Sequence, residues 1–248
     1  MDTTTFLKEV LSSSGLYCIF ASNSSKDKRS QQFYGSIDQL VSAAKDLDDK
    51  DYDVYFALAT FNEGKSRKVD NVKHLKSFFL DLDCGPSKEF ASQAEAMQAL
   101  KQFCKTYSLP RPTIINSGRG VHVYWPLKEA VCLDDWLPVA ERLKALCARS
   151  NFPADPAVTS DAARVLRVPQ THNYKPDIPV AVSFIGPTVS ALVDFDKFSA
   201  LVGGDLIPVP KKRIEGASAM MLAALENQEY KFKHILQKSS ASTGCVQI

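Results

Sequence analysis

"FFLDLDCG", residues 78–85, ends an apolar run with two aspartates two positions apart. In an extended strand residues i and i+2 share a face, so Asp81 and Asp83 hold two carboxylates side by side. Like charges at that spacing repel unless something positive sits between them. Mg²⁺ and Mn²⁺ favour carboxylate oxygens and are commonly held by one or two such groups together with substrate phosphates, so the pair is a candidate divalent-metal site. The bland alternative is a solvated strand end, with Asp83 opening a turn at Gly85 and Pro86.

Upstream, Phe6, Val10 and Leu11 recur at helical spacing over Thr3 to Ser13, and LYCIFA (16–21) reads as a strand. SNSSKDKRS (22–30) reads as a polar loop, a second helix starts from Ser36, and DVYFALATF (53–61) is a buried strand. The order helix, strand, strand, helix, strand implies an α/β layer structure. The polar stretch 62–76, with Lys65, Arg67 and Lys68, leads to the acid-bearing strand. Downstream the pattern predicts a helix from about Lys88 to Tyr107, strands PTIIN (112–116) and VHVYW (121–125), and a helix over Leu133–Arg149. Repeated prolines between 151 and 187 suggest short strands and loops at a sheet edge. Residues 203–213 read as a linker, 214–237 as helical and the last ten as frayed, which divides the chain into 1–209 and 210–248.

With 248 residues, 45% hydrophobic and 23% charged, the chain has the composition of a globular protein with a sizeable core. Thirty basic against 28 acidic residues leave a net charge of +2, so any polyanion site must come from local clustering. The six cysteines show no C-x-x-C pair, which points to reduced thiols. No signal-peptide or membrane-span pattern is present, and the expectation is a cytoplasmic protein with no membrane partner.

Two further stretches carry candidate chemistry. INSGRGVHVYW (115–125) sets glycines, Arg119 and His122 between two strands. The glycines suit a tight hairpin turn, and Ser117, Gly118 and Gly120 let backbone N–H groups approach an anion, with Arg119 and His122 as further phosphate donors. A plain hairpin with a buried His122 is the alternative. NFPADPAVTSDAARVLRVPQTHNYK (151–175) presents Asp155, Asp161, Arg164, Arg167, Asn173 and Lys175 in one run, which could equally be turn-formers, a cap and surface charges. Taken together and in order, acids, phosphate donors and a further acid are what a two-metal nucleotidyl-transfer site requires.

At this point the sequence resembles the archaeo-eukaryotic primase superfamily, in particular the bifunctional primase-polymerase domains of phages and plasmids. FFLDLDCG is similar to its apolar-D-x-D motif, SGRGVHVYW to its small-residue-then-His motif, PADPAV to its third acidic motif, and DAARVLRVPQTHNYK to the R-x-x-R-x-P-G-T-x-N-x-K segment of phage members. The resemblance covers about residues 16 to 187. It implies a two-lobed α+β core whose RRM-like antiparallel sheet carries the active site, followed by a small C-terminal helical segment. It also implies Asp81, Asp83 and Asp155 as ligands of two Mg²⁺ or Mn²⁺ ions, and His122 as a contact to the incoming nucleotide's phosphates. Ser117, Gly118, Arg119, Gly120, Arg167, Asn173 and Lys175 would serve a dNTP or NTP, and Lys65, Arg67, Lys68 and Arg164 a single-stranded DNA template. A replicative helicase, fused or encoded nearby, is a common partner of such domains. Two departures stand out: Gln170 occupies the glycine position of the later segment, suggesting a less compact turn, and Gly120 occupies the small position before His122.

Two rivals compete with this reading. A haloacid-dehalogenase-type phosphatase also uses D-x-D at a strand end, but the Thr or Val expected two residues after the second acid is missing and SGRGVHVYW would have no role. A catalytically idle single-stranded DNA-binding or replication-initiator module needs only the basic surface.

Overall fold

In the computed structural model, residues 1–203 other than 24, 26 and 187–190 are described. The expected linker at 203–213, the helix at 214–237 and the boundary near 209 therefore lie almost wholly outside the described residues.

Helix α1 (Thr3–Val10) starts at Asp2, whose carboxylate accepts from the Thr5 N–H, and it buries Phe6, Leu7 and Val10. Strands β1 (Tyr17–Asn23), β2 (Lys28–Tyr34) and β3 (Asp53–Ala57), with helix α2 (Ile37–Asp48) between the last two, lead to β4 (Ala59–Phe61) and the long β5 (Val72–Asp83). Helix α3 (Gln93–Thr106), the β6 (Thr113–Asn116) and β7 (Gly120–Val131) hairpin and helix α4 (Leu133–Arg149) follow. The chain then makes short elements: α5 (Pro156–Thr159), β8 (Val165–Arg167), β9 (His172–Asn173), β10 (Val180–Ala181), β11 (Ser183–Ile185) and α6 (Phe195–Gly203).

Two antiparallel sheets organise these elements. One has the order β2-β1-β3-β8, the other β11-β6-β7-β5-β4, and β9 pairs with β10 in a separate ribbon. The mixed architecture and the proline-broken edge elements are as expected, since β8 and β11 each close one edge.

Four boundaries differ from the sequence reading. The 22–30 loop is mostly strand: β1 runs on to Asn23 and β2 begins at Lys28, because pairing from Tyr17↔Tyr34 to Asn23↔Lys28 supplies order that a polar sequence does not advertise. Strand 53–61 breaks at Leu58, whose N–H donates to the Arg164 carbonyl instead of continuing one ladder. Helix α3 starts at Gln93 and not near Lys88: Ser92 caps the Glu95 N–H and Glu95 answers to the Ala91 N–H, a reciprocal cap that fixes the start. Residues 195–203, to which the sequence reading assigns no element, form helix α6, which Phe198 anchors by stacking on Phe78.

Strand β5 positions the acids. Phe78, Phe79, Leu80 and Leu82 are all buried, so the strand is covered on both faces and reads as a continuous apolar run. Phe78 stacks on Phe198 of α6 at 4.7 Å and on Trp136 of α4 at 5.8 Å, and Trp136 Nε1 donates to the Ser77 carbonyl. Each such fully buried side chain contributes ~1.5–3 kcal/mol. The strand is thereby held up to the point where its last residues, Asp81 and Asp83, leave the core.

Candidate active site

Asp81 and Asp83 lie opposite His122 and Gly120 in the β5–β7 ladder. Directly opposed residues project to one face, so the period of two and the pairing register together bring Asp81, Asp83 and His122 to the same side. The register depends on Gly120: a Cβ there would meet the Leu82 carbonyl oxygen at 2.4 Å, so any side chain would push β7 away from β5 beside the acids.

Asp155 joins them from a different part of the chain. Its backbone N–H donates to the Asp81 carbonyl at 2.9 Å, and its side chain caps α5 through the Ala157 N–H. Burial raises the Asp81 carboxyl to about 7, assisted first by the Asp83 charge and then by Asp155. Three acids from two distant stretches thus share one electrostatic neighbourhood.

Each acid faces a cation or an imidazole. Lys88 Nζ lies 2.6 Å from Asp83 with both side chains about half exposed. Arg164 stands 3.8 Å from Asp155, each one-third exposed. His122 Nε2 is 3.8 Å from Asp81, but burial holds this imidazole down to about 3, so it is neutral and the contact is not an ion pair. His122 Nδ1 and the Tyr124 hydroxyl, two residues apart on β7, are buried without a hydrogen-bond partner.

The donor set fits a divalent cation chemically: concentrated carboxylate charge, one acid pushed to half-protonation near neutral pH, and an orphaned imidazole nitrogen beside it. Lys88 and Arg164 supply positive charge at Asp83 and Asp155, and among the described residues no three acids, cysteines or histidines already stand in a metal-binding cluster.

The glycine turn is largely self-bonded. Gly118 takes φ +87° and its N–H donates to Asn116 Oδ1, the Ser117 N–H donates to the Gly120 carbonyl, and the Gly120 N–H donates to Ser117 Oγ. The backbone donors expected to face an anion are therefore engaged within the hairpin. Arg119 alone projects outward, near enough to Lys88 for the two cations to repel.

The later segment is more buried than its sequence suggests. Arg167 is 5% exposed, donates to Asp53 Oδ1 at 2.5 Å and lies over the Tyr55 ring at 4.8 Å. Asn173 is buried and donates to the Ser117 carbonyl, which docks β9 against the glycine turn. Lys175 is exposed. Gln170 does not loosen its turn. It adopts the left-handed φ of +64° that glycine favours, while its side-chain oxygen accepts from the Thr3 N–H and hydroxyl.

The basic loop is dispersed. Lys65 pairs with Glu63 in solvent, Lys68 is exposed, and Arg67 donates to the Ala163 carbonyl beneath the Phe20 ring. Asp53, in sequence no more than the start of a strand, is the anchor of Arg167 and also accepts from the Tyr174 N–H. A lone acid opening an apolar strand was the only available signal.

Against solved structures, the chain aligns with the primase-polymerase domain of cyanophage S-2L at TM-score 0.56 and 17% identity, over 76% of this chain and 89% of that one. The fold is that of the archaeo-eukaryotic primases. A second structure of the same primase fold is the catalytic domain of primase RepB′ in complex with initiator DNA, at TM-score 0.51 and 15% identity, over 82% of this chain and 94% of that one. In sequence, 134 residues are 34% identical to a replication protein of Clostridium perfringens, 53% of this chain but 32% of that relative, so the match spans about a third of its length. No family model matches the chain. Among the described residues of this primase fold, no helix is long and apolar enough to cross a membrane, and Cys18, Cys84, Cys104, Cys132 and Cys147 are free thiols, as expected.

Proposed function

We propose that this chain is a nucleotidyltransferase that extends or starts DNA on a single-stranded template, as a primase-polymerase in the replication of a phage- or plasmid-like element. The observation that carries the reading is that Asp83 and Asp155, from two distant stretches, both act on the charge of Asp81, whose carboxyl is raised to about 7 by burial and by these two acidic neighbours. The primase fold and the likeness to a replication protein support it.

Asp81, Asp83 and Asp155 would hold two Mg²⁺ or Mn²⁺ ions, which supply activation of a 3′-hydroxyl and neutralisation of the triphosphate for in-line displacement of pyrophosphate. The chain's own residues then do the positioning. Loading requires Lys88 and Arg164 to leave their carboxylates, and both cations are free to turn to phosphate oxygens when they do. Neutral His122 donates through one ring nitrogen to a phosphate oxygen without adding a charge of its own. Arg119, alone in projecting from the glycine turn, reaches the same phosphates. Residues 1–209 form the catalytic domain in this proposal, and a helicase partner is compatible with it.

The test is label incorporation on primed and unprimed single-stranded DNA, with dNTP or NTP, in Mg²⁺ and in Mn²⁺. Asp81→Ala with Asp83→Ala removes several kcal/mol of transition-state charge stabilisation, so incorporation falls by about 10³-fold or more while template binding stays. Release of phosphate without incorporation would favour the phosphatase, and strand binding with neither would favour the idle binder.

A further inference from the structure

Arg167, Tyr55 and Phe20 occupy consecutive cross-strand positions on one face of the four-stranded sheet, since Phe20 opposes Tyr55 and Tyr55 opposes Arg167. The two aromatic rings are partly exposed, 6.0 Å apart and tilted by 47°. They line a groove of about 520 Å³ whose rim, among the described residues, carries Lys28, Arg29 and Lys175 against the acid Asp27. Arg67 lies 6.0 Å from the Phe20 ring and Arg167 4.8 Å from the Tyr55 ring, and both guanidinium groups are tied down, to the Ala163 carbonyl and to Asp53.

We infer that this groove is a base-stacking subsite for a single strand of nucleic acid, with bases on Phe20 and Tyr55 and the flanking phosphates on Lys28, Arg29 and Lys175. Aromatic faces accept any base, and a basic rim follows the backbone without reading sequence. The distribution of charge selects a strand over a free nucleotide. Lys28 and Arg29 belong to edge strand β2, whereas Lys175 follows Tyr174, whose N–H donates to Asp53 of β3, the aromatic strand farther from β2. Cations on both sides of the rings match a backbone that carries phosphate before and after each base, whereas a nucleoside triphosphate concentrates its charge at one end.

Naming the strand a template rests on the function proposed above; the strand binding itself does not.

The experiment is fluorescence anisotropy of a fluorescein-labelled oligodeoxythymidylate 12-mer in EDTA, where no metal or nucleotide takes part. Phe20→Leu weakens binding by about 5- to 100-fold. Lys28→Ala with Arg29→Ala, on an exposed edge strand, lowers the slope of log K against log salt by about 1.4. Wild-type affinity and slope in both variants would overturn the inference, as would loss of dTTP binding in Phe20→Leu with oligonucleotide binding intact. If Phe20→Leu melts early, the double variant decides alone. Failure of the wild type to incorporate label would count against the enzyme and leave this binding readout standing.

Discussion

At the acid-bearing end of the five-stranded sheet, Asp83 of β5 and the neighbouring Asp155 that caps α5 receive their cations from other segments at partly exposed contacts, Lys88 on Asp83 and Arg164 on Asp155. In the four-stranded sheet, Asp53 and Arg167 form a buried pair, 3% and 6% exposed at the side chain. Solvent reaches the first kind of pair, so its partners exchange at little cost and a metal ion can take the cation's place. The second kind excludes water, so neither member can leave without stranding the other. One sheet is thus arranged for exchangeable charge and the other for fixed charge, although both are antiparallel and both carry an apolar core.

The largest effect expected from this contrast is on the fixed pair. Asp53→Ala leaves Arg167 buried and uncompensated and frees the Tyr174 N–H, so it costs about 3–5 kcal/mol, a fall in Tm of roughly 6–20 °C by calorimetry. A shift below a degree would erase the distinction between the sheets.

Next comes Asp81. Its carboxyl at about 7 lies above the ordinary 3.8, so the folded chain retains a proton that the unfolded chain has released. Stability in EDTA therefore declines as pH rises from about 4 to 7, by an amount on the order of 4 kcal/mol at full ionisation and less where solvent screens the charge. Asp81→Asn removes that decline, and Mg²⁺ or Mn²⁺ offsets it in the wild type at pH 8. Parallel melting curves for the two proteins between pH 5 and 8 would contradict the charge concentration at this site.

His122→Ala sharpens the contrast at the border between the sheets, since the imidazole sits beside Asp81 and feels Arg167. Loss of one hydrogen bond to a charged phosphate is worth ~1.5–3 kcal/mol, so the nucleotide KM rises about 10- to 150-fold with template affinity unchanged. A purely structural histidine would lower Tm and leave KM alone.

The smallest effect belongs to Lys88→Ala. A half-exposed pair contributes ~0–1 kcal/mol, so Tm moves by no more than a few degrees. With its competitor gone, Asp83 loads at lower Mn²⁺, and half-maximal incorporation shifts a few-fold toward lower metal. A higher metal requirement would mean that Lys88 helps the ions and does not exclude them.

Local pattern made much of this legible. Leu133–Arg149 is helical over the expected span because its apolar positions repeat at helical spacing behind Asp134 and Asp135. Asp81 and Asp83 share a side because strand geometry leaves no other choice. What stayed hidden depends on partners far away in the chain. Strand β2 is polar and half exposed, and becomes a strand through β1. Asp53 looks like a strand start because Arg167 lies 114 residues on. The self-bonded glycine turn was missed for a related reason, since the same small residues can offer their N–H groups outward or to one another. Helix α6 is a nine-residue element held by Phe195 and Phe198 against Phe78 and by Phe198 against Trp125, partners far away in the chain.

Gln170 reaches back to Thr3 across 167 residues, and that span has a consequence for how the chain is made. At ribosomal speeds of about 5–20 residues per second, roughly 10–30 s separate the synthesis of the two ends of this clasp. During that interval α1 has no clasp to hold it, and Phe6 waits for Phe56 and Tyr124, which emerge one after the other; Phe184 follows only after Gln170. In this window the N-terminal helix is open to proteases and chaperones, and the window's length is set by the speed of synthesis and not by the strength of the clasp.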